Sequence, residues 1–324
     1  MSPLFGQSGH VLAIVAPGQG AQTPGFLSSW LADETSAAHV AWLSAVANLD
    51  LADYGTNADA EAIRDTAVAQ PLLVAAGLVA LRALFPQPPV SADVLAGHSV
   101  GEITAAAAAG VLTEEQAMVF VRERGNQMAS ASAARPTSMS AVIGGDRDEV
   151  LAAIEAQGLE AANHNGAGQI IAAGPVEQLA SLAAYPPARA RLVSLSVAGA
   201  FHTVHMRPAQ THMAKIAQAI TPYHPETRLL SNADGRVVND GRQYLAGLVR
   251  QVANPVRWDL CMATMAKLGV TGLLELPPSG TLTGIAKRNL RGVELFALNT
   301  ADQLPQARDF IARHSQEFRA QEAA

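Results

Sequence analysis

Between residues 94 and 110 the chain reads VLAGHSVGEITAAAAAG, which sets Ser99 between two glycines, after a short apolar run and before an alanine-rich stretch. A strand that turns sharply into a helix holds a serine hydroxyl clear of the backbone only if its neighbours lack bulk, and Gly97 and Gly101 meet that condition. The G-x-S-x-G pattern alone is weak, since about one chain in ten of this length would carry it by chance at average glycine and serine usage. Its setting adds weight. VLA reads as a buried strand and the alanine run as a helix, so the segment predicts strand, nucleophile turn and helix in succession.

Other apolar runs end in the same way, in glycine or small polar residues: HVLAIVAPG (10–18), TRLLSNADG (227–235), TGLLELPPSG (271–280) and VELFALNT (293–300). They are continuous instead of alternating, which predicts strands covered on both faces. Helical patterns such as 70–85 and 117–131 lie between them, so the alternation predicts a parallel α/β sheet flanked by helices. Residues 132 to 200 have another rhythm. SMSAVIGG, DRDEVLAAIEAQG, LEAANHNGAGQIIAAG, PVEQLASLAAY and ARLVSLSVAG read as βαββαβ, the split ferredoxin-like unit. The expected division is a large α/β part, 1–131 and 201–324, with a small insert at 132–200.

A chain of 324 residues with 49% hydrophobic and 15% charged residues is expected to be globular. No stretch of about eighteen apolar residues lacks charges or turn residues, and no basic leader precedes the first apolar run, so no membrane span and a cytoplasmic location are expected. The formal charge of −6 argues against a nucleic-acid or anionic-membrane partner. One cysteine, Cys261, excludes a disulfide framework or a multi-cysteine metal site, and is expected to be buried.

A serine nucleophile needs a base, and nine histidines leave the choice open on sequence logic alone. His202 and His205, in GAFHTVHMRP, follow a predicted strand; with His212 their spacing lacks the glutamate of a zinc helix, so no metal is expected. APGQGAQTPG misses the dinucleotide fingerprint at Thr23 and reads instead as a turn able to offer backbone N–H groups to an oxyanion. Arg122 and Arg124 cannot share a helix face.

Taken in order and spacing, PGQGAQ, GHSVGE, RERGNQM, NGAGQIIAAG, GAFHT, QVANPVRW and ELPPSGTLTG resemble the malonyl-CoA:acyl carrier protein transacylases of fatty acid synthesis, most closely their actinomycete versions. The likeness covers nearly the whole chain and extends to acyltransferase domains of polyketide synthases. It implies an α/β-hydrolase-like parallel-sheet core with the inserted ferredoxin-like subdomain. It also implies Ser99 as nucleophile, His202 as general base and acid, and the backbone carbonyl of Gln251 as the group that orients the histidine. The backbone N–H groups of Gln19 and Val100 would form the oxyanion hole, and Arg124 would bind the malonyl carboxylate. Phe201 stands where some bacterial relatives have serine, and the A-F-H form resembles that of malonyl-selecting polyketide domains.

The implied substrates are malonyl-CoA and a phosphopantetheinylated acyl carrier protein. No cofactor or metal beyond the coenzyme A thioester is implied, and a monomer is the default. Lys287, Arg288 and Arg291, the densest basic cluster, are candidates for docking an acidic carrier, against the plainer reading of a solvated helix end. A serine hydrolase or thioesterase shares the nucleophile, base and oxyanion hole and is the alternative; a non-catalytic carrier-binding module would need a damaged site.

Overall fold

In the computed structural model, residues 9–87, 89–197 and 199–315 are described; residues 1–8, on which the leaderless reading of the N-terminus partly rests, lie outside them. Among the described residues the strands form two sheets. β1 (Leu12–Ala16), β2 (Val94–Gly97), β7 (Arg228–Leu230), β8 (Val237–Val238), β9 (Gly272–Glu275) and β10 (Glu294–Ala297) make the larger. β3 (Thr137–Gly144), β4 (Glu160–Gly166), β5 (Gln169–Pro175) and β6 (Ala190–Ser194) make the smaller.

The larger sheet has the order β10-β9-β1-β2-β7-β8 and is parallel from β10 to β7, while β8 closes the edge antiparallel to β7. Its apolar runs are continuous because both faces are covered. Leu12, Ile14 and Ala16 of β1 join one hydrophobic cluster, and the alternate residues Ala13 and Val15 join the other. One side is covered by helices Thr66–Leu84 and Glu114–Ala133, the other by Trp258–Lys267 and Thr281–Asn289. Thr66–Leu84, with a mean hydropathy of 1.8, is apolar and long enough to span a membrane, but 83% of that window is buried within the fold. It is a core helix, and it contains Pro71, Gly77 and Arg82.

The smaller sheet, β4-β5-β3-β6, is antiparallel throughout, and successive residues of β3 and β5 turn to opposite faces, both of them covered. Val142, Ile170 and Ala172 face its helices Arg147–Ala156 and Val176–Ala184, whereas Met139, Ala141, Ile171 and Ala173 join the main core. A backbone bridge fastens β4 to the larger part: the His164 N–H donates to Val256 O (2.9 Å) and the Val256 N–H to Ala162 O (2.8 Å).

The turn between β2 and the helix Gly101–Ala108 is a tight crossing with no room for side chains. A Cβ on Gly97 would lie 1.9 Å from Gly101 C, and one on Gly101 would lie 2.2 Å from Ala16 O. Neither glycine has positive φ, so what each supplies is the absence of a side chain. Gly97→Ala is therefore expected to destabilise the protein by about 3 kcal/mol or more, a fall of about 6 °C or more in thermal unfolding. An unfolding midpoint within about 1 °C of the parent would contradict this packing.

Candidate active site

Ser99 follows β2 with φ 55°, a left-handed conformation that a non-glycine residue adopts only when its surroundings enforce it. Its N–H donates to Asn232 Oδ1 (2.8 Å), and Asn232 Nδ2 donates to Gly97 O (2.8 Å). One amide side chain thus clamps both sides of the turn. The hydroxyl lies 2.7 Å from His202 Nε2.

His202 is also left-handed, with φ 61°. Two hydroxyls hold its turn: the Ala200 N–H donates to Thr137 Oγ1 (3.0 Å), and Thr203 Oγ1 donates to Ala200 O (2.6 Å). His202 Nδ1 lies 2.8 Å from the carbonyl oxygen of Gln251, the last residue of helix Gly241–Gln251. A carbonyl only accepts, so Nδ1 carries the proton and Nε2 is free to accept from Ser99. Burial, followed by the nearby Arg124 charge, lowers the His202 pKa to about 3, which keeps the ring neutral at rest.

Arg124, on helix Glu114–Ala133, is only 2% exposed. Its guanidinium donates to Gln70 Oε1 (2.6 Å), to Gln251 Oε1 (2.9 Å) and more weakly to Ser99 Oγ (3.4 Å). Gly125 makes this possible, because a Cβ there would lie 2.9 Å from Thr66 O; the two helices close to a distance at which Gln70 reaches Arg124. Burial lowers the Arg124 pKa to about 10, so it remains a cation at neutral pH. Arg122 points elsewhere and pairs with Glu123 (2.9 Å).

The turn at Gly18 packs on His98, with a virtual Cβ 3.0 Å from His98 O, which carries Gln19 to the nucleophile turn. Among the described residues, neither the Gln19 nor the Val100 backbone N–H donates to a protein acceptor. A cleft of about 490 Å³ opens there between Gln19 and His98 of the larger part and Asn163, Asn165 and Ile171 of the smaller sheet. Across it His98 Nε2 meets Asn165 Oδ1 (3.0 Å). Ser99, His202 and Arg124 do not line this cleft themselves; it reaches their turn at Gln19 and His98. A serine bonded to a neutral histidine beside a buried cation, with two unpaired amides at the same turn, is equipped for acyl transfer from an anionic acyl group.

The acyl transferase domain model matches residues 14–313. The chain belongs to the acyl transferase family. It is 49% identical over 296 residues to the malonyl CoA-acyl carrier protein transacylase of Mycobacterium tuberculosis H37Rv, covering 91% of this chain and 98% of the relative. The Escherichia coli K12 protein of the same name is 33% identical, over 89% and 95%. The crystal structure of MCAT from Mycobacterium tuberculosis superposes with a TM-score of 0.88 over 92% of this chain and 99% of that one, at 49% identity. A malonyl-transacylase solved in complex with a type II polyketide synthase acyl carrier protein superposes with a TM-score of 0.86, at 30% identity over 92% and 98%.

In this acyl transferase His202, Arg124 and Gln251 each hydrogen-bond Ser99, Val100 follows it in the chain, and Gln19 follows Gly18, which packs on His98. Phe201 is buried beside His202. Lys287 and Arg288 are exposed in the last turn of helix Thr281–Asn289, Arg291 is exposed just beyond it, and Arg288 also lines the cleft. That helix is set by Glu275, whose carboxylate accepts the N–H groups of Gly280, Leu282 and Thr283 at 2.8 to 2.9 Å. His205 and His212 lie apart from the site, His212 facing Glu123 (3.4 Å).

Three contributors escaped the sequence reading of the acyl transferase: Gln70, Asn232 and Glu102, the last residue of the GHSVGE motif. The available signal for Asn232 was its place just beyond the C-terminal end of a parallel strand, where α/β sheets present functional groups.

The lowered pKa gives a direct check. The neutral Nδ1–H tautomer of His202 is expected to persist in nitrogen-15 NMR down to about pH 5, where a histidine with the ordinary value of 6.5 is mostly charged. A titration of the His202 ring centred near 6.5 would contradict its burial.

Proposed function

We propose that the chain transfers a malonyl group from malonyl-CoA to the phosphopantetheine thiol of an acyl carrier protein, by a ping-pong route through a malonyl-Ser99 ester. The observation that carries this reading is a buried guanidinium 3.4 Å from the nucleophile hydroxyl, which suits a substrate whose acyl group bears a carboxylate. The printed names of the relatives, and the carrier complex of one structural neighbour, agree with it.

In the first half-reaction Ser99 Oγ attacks the thioester carbon while His202 Nε2 takes its proton. The oxyanion is held by the N–H groups of Gln19 and Val100, and collapse expels CoA, whose sulfur receives the proton from His202. The carrier thiol then gives its proton to His202, attacks the ester, and leaves with the malonyl group as Ser99 is reprotonated. Positive charge on the imidazole in each transition state is offset by the Gln251 carbonyl, which ends a helix and so carries the negative pole of its dipole. This role falls to a carboxylate in the familiar serine triad. No cofactor or metal enters these steps.

The same reading assigns Phe201 to selection of the unbranched malonyl chain, and Lys287, Arg288 and Arg291 to the carrier, since Arg288 lines the cleft and the other two are exposed close to it in sequence on an otherwise net-negative protein. It also treats the larger part (1–131 and 201–324) as an α/β-hydrolase-like core, the segment 132–200 as a ferredoxin-like insert, and the enzyme as a cytoplasmic monomer. The strand order β4-β5-β3-β6 supports the ferredoxin-like assignment.

Radiolabelled malonyl-CoA with and without holo carrier protein tests the reaction. The expected result is label on Ser99, absent in Ser99→Ala, that moves to the carrier when carrier is added. Release as free malonate at the rate of loading would make the chain a thioesterase instead. Arg124→Ala should lose malonyl loading by about 2 to 5 kcal/mol more than acetyl loading. Lys287→Glu with Arg288→Glu should slow only the second half-reaction, and equal slowing of both would remove these residues from docking.

A further inference from the structure

Glu102 takes no part in the steps above, yet it lies at the centre of the site's polar frame. It is 2% exposed, at the start of the helix that follows the nucleophile. One carboxylate oxygen accepts the Asn232 N–H (2.7 Å), and the other accepts Gln251 Nε2 in a short hydrogen bond. Both oxygens therefore face donors, the arrangement that fits an ionised carboxylate.

Arg124 presents the complementary problem. Among the described residues no carboxylate lies within ion-pair distance of it, and its strongest partners are the neutral amides of Gln70 and Gln251. A buried cation with only neutral partners is unfavourable unless an opposite charge is close. Gln251 supplies the link, because its Oε1 accepts from Arg124 while its Nε2 donates to Glu102. The amide dipole lies between the two charges in its favourable sense.

We propose that Glu102 is a positioning residue for acyl transfer: through the Gln251 amide it is the buried counter-charge of Arg124, and through Asn232 it ties the nucleophile turn to the same frame. The assignment rests on the malonyl-transfer reading for its substrate, though not for its electrostatics. The indirect contact matters. A direct ion pair would occupy the guanidinium edge needed by the substrate carboxylate, whereas a counter-charge one amide away keeps Arg124 cationic and leaves that edge open. The two groups also bear on each other's ionisation: burial, the largest influence, raises the Glu102 carboxyl to about 8 even after the Asn232 and Gln251 hydrogen bonds and the Arg124 charge have pulled it down, so its negative charge is complete only on the alkaline side of neutrality, and Glu102 in turn supports the Arg124 cation.

Replacing the carboxylate by an amide removes the charge and keeps the shape. In Glu102→Gln the Gln251 Nε2 would face a second NH2 group, so Gln251 must turn its amide and withdraw the acceptor from Arg124. A thermodynamic cycle of wild type, Glu102→Gln, Arg124→Met and the double variant isolates this coupling. At about pH 9, where Glu102 is ionised, Glu102→Gln should lower the unfolding midpoint by about 5 °C when Arg124 is present. In the Arg124→Met background the same change should leave the midpoint unchanged or raise it, because it then removes an unpaired buried anion. Loading measured by rapid quench and intact mass should show malonyl acylation of Ser99 falling about 100-fold in Glu102→Gln, with a raised KM, against about 10-fold or less for acetyl. An equal thermal loss in both backgrounds, or equal falls for malonyl and acetyl, would overturn the proposal. Should Glu102→Gln fail to fold, a folded double variant supports the coupling and an unfolded one overturns it. Absence of a malonyl adduct on the wild type would instead count against the reaction itself, with the thermal cycle still deciding the role of Glu102.

Discussion

The 2.7 Å contact between Ser99 Oγ and His202 Nε2 joins two residues 103 positions apart, each held in a left-handed backbone conformation. Neither conformation is self-sustaining, so the contact exists only because the surroundings over-determine both turns. At Ser99 the restraint is steric and polar: close approach of Gly97, Gly101 and Ala16 leaves one path for the chain, and Asn232 bonds both sides of it. At His202 it is a pair of threonine hydroxyls bonded to the backbone of Ala200. The larger sheet, with β1 and β2 in parallel register, is the platform on which the first of these turns is built.

Of the two groups that hydrogen-bond Ser99 Oγ, only the guanidinium is charged at rest. The histidine is neutral at rest because it is buried beside a cation, and the carbonyl that fixes its tautomer comes from a helix end instead of a carboxylate. An acidic residue at that position would have paired with Arg124 as readily as with His202. The backbone carbonyl orients the ring and leaves the guanidinium unspent. Gln251 serves both groups at once, its main chain on the histidine and its side chain on the arginine, so the imidazole and the guanidinium cannot move independently.

The parts legible in the sequence were those that local pattern dictates. Continuous apolar runs gave β1, β2, β7, β9 and β10, and the change of rhythm after residue 132 gave the βαββαβ order, because burial on two faces or one writes itself into residue periodicity. The two-residue β8 escaped, being too short to carry a period. The sharp turn at Ser99 was legible from its two glycines together with the apolar run before them and the alanine run after. His202, Arg124 and Gln251 needed the resemblance, since one histidine among nine and one arginine on a helix have no local mark of function. Gln70, Asn232 and Glu102 act through partners 54 to 149 residues distant; Asn232 had only its place beyond the end of β7 to mark it, and nothing in the neighbourhoods of Gln70 and Glu102 distinguishes a buried clamp from a surface amide or a helix-starting acid.

The central claim is that Ser99, His202 and Arg124 form one site in which the acyl group sits on the serine while its carboxylate sits on the arginine. A crystal structure of the enzyme trapped after brief exposure to malonyl-CoA tests it most directly. The account predicts density for a malonyl ester on Ser99 Oγ, with the free carboxylate within hydrogen-bonding distance of the Arg124 guanidinium and His202 still bonded to Gln251 O. An ester on another residue, or a malonyl carboxylate on Ser99 directed away from Arg124 into the open cleft, would contradict it.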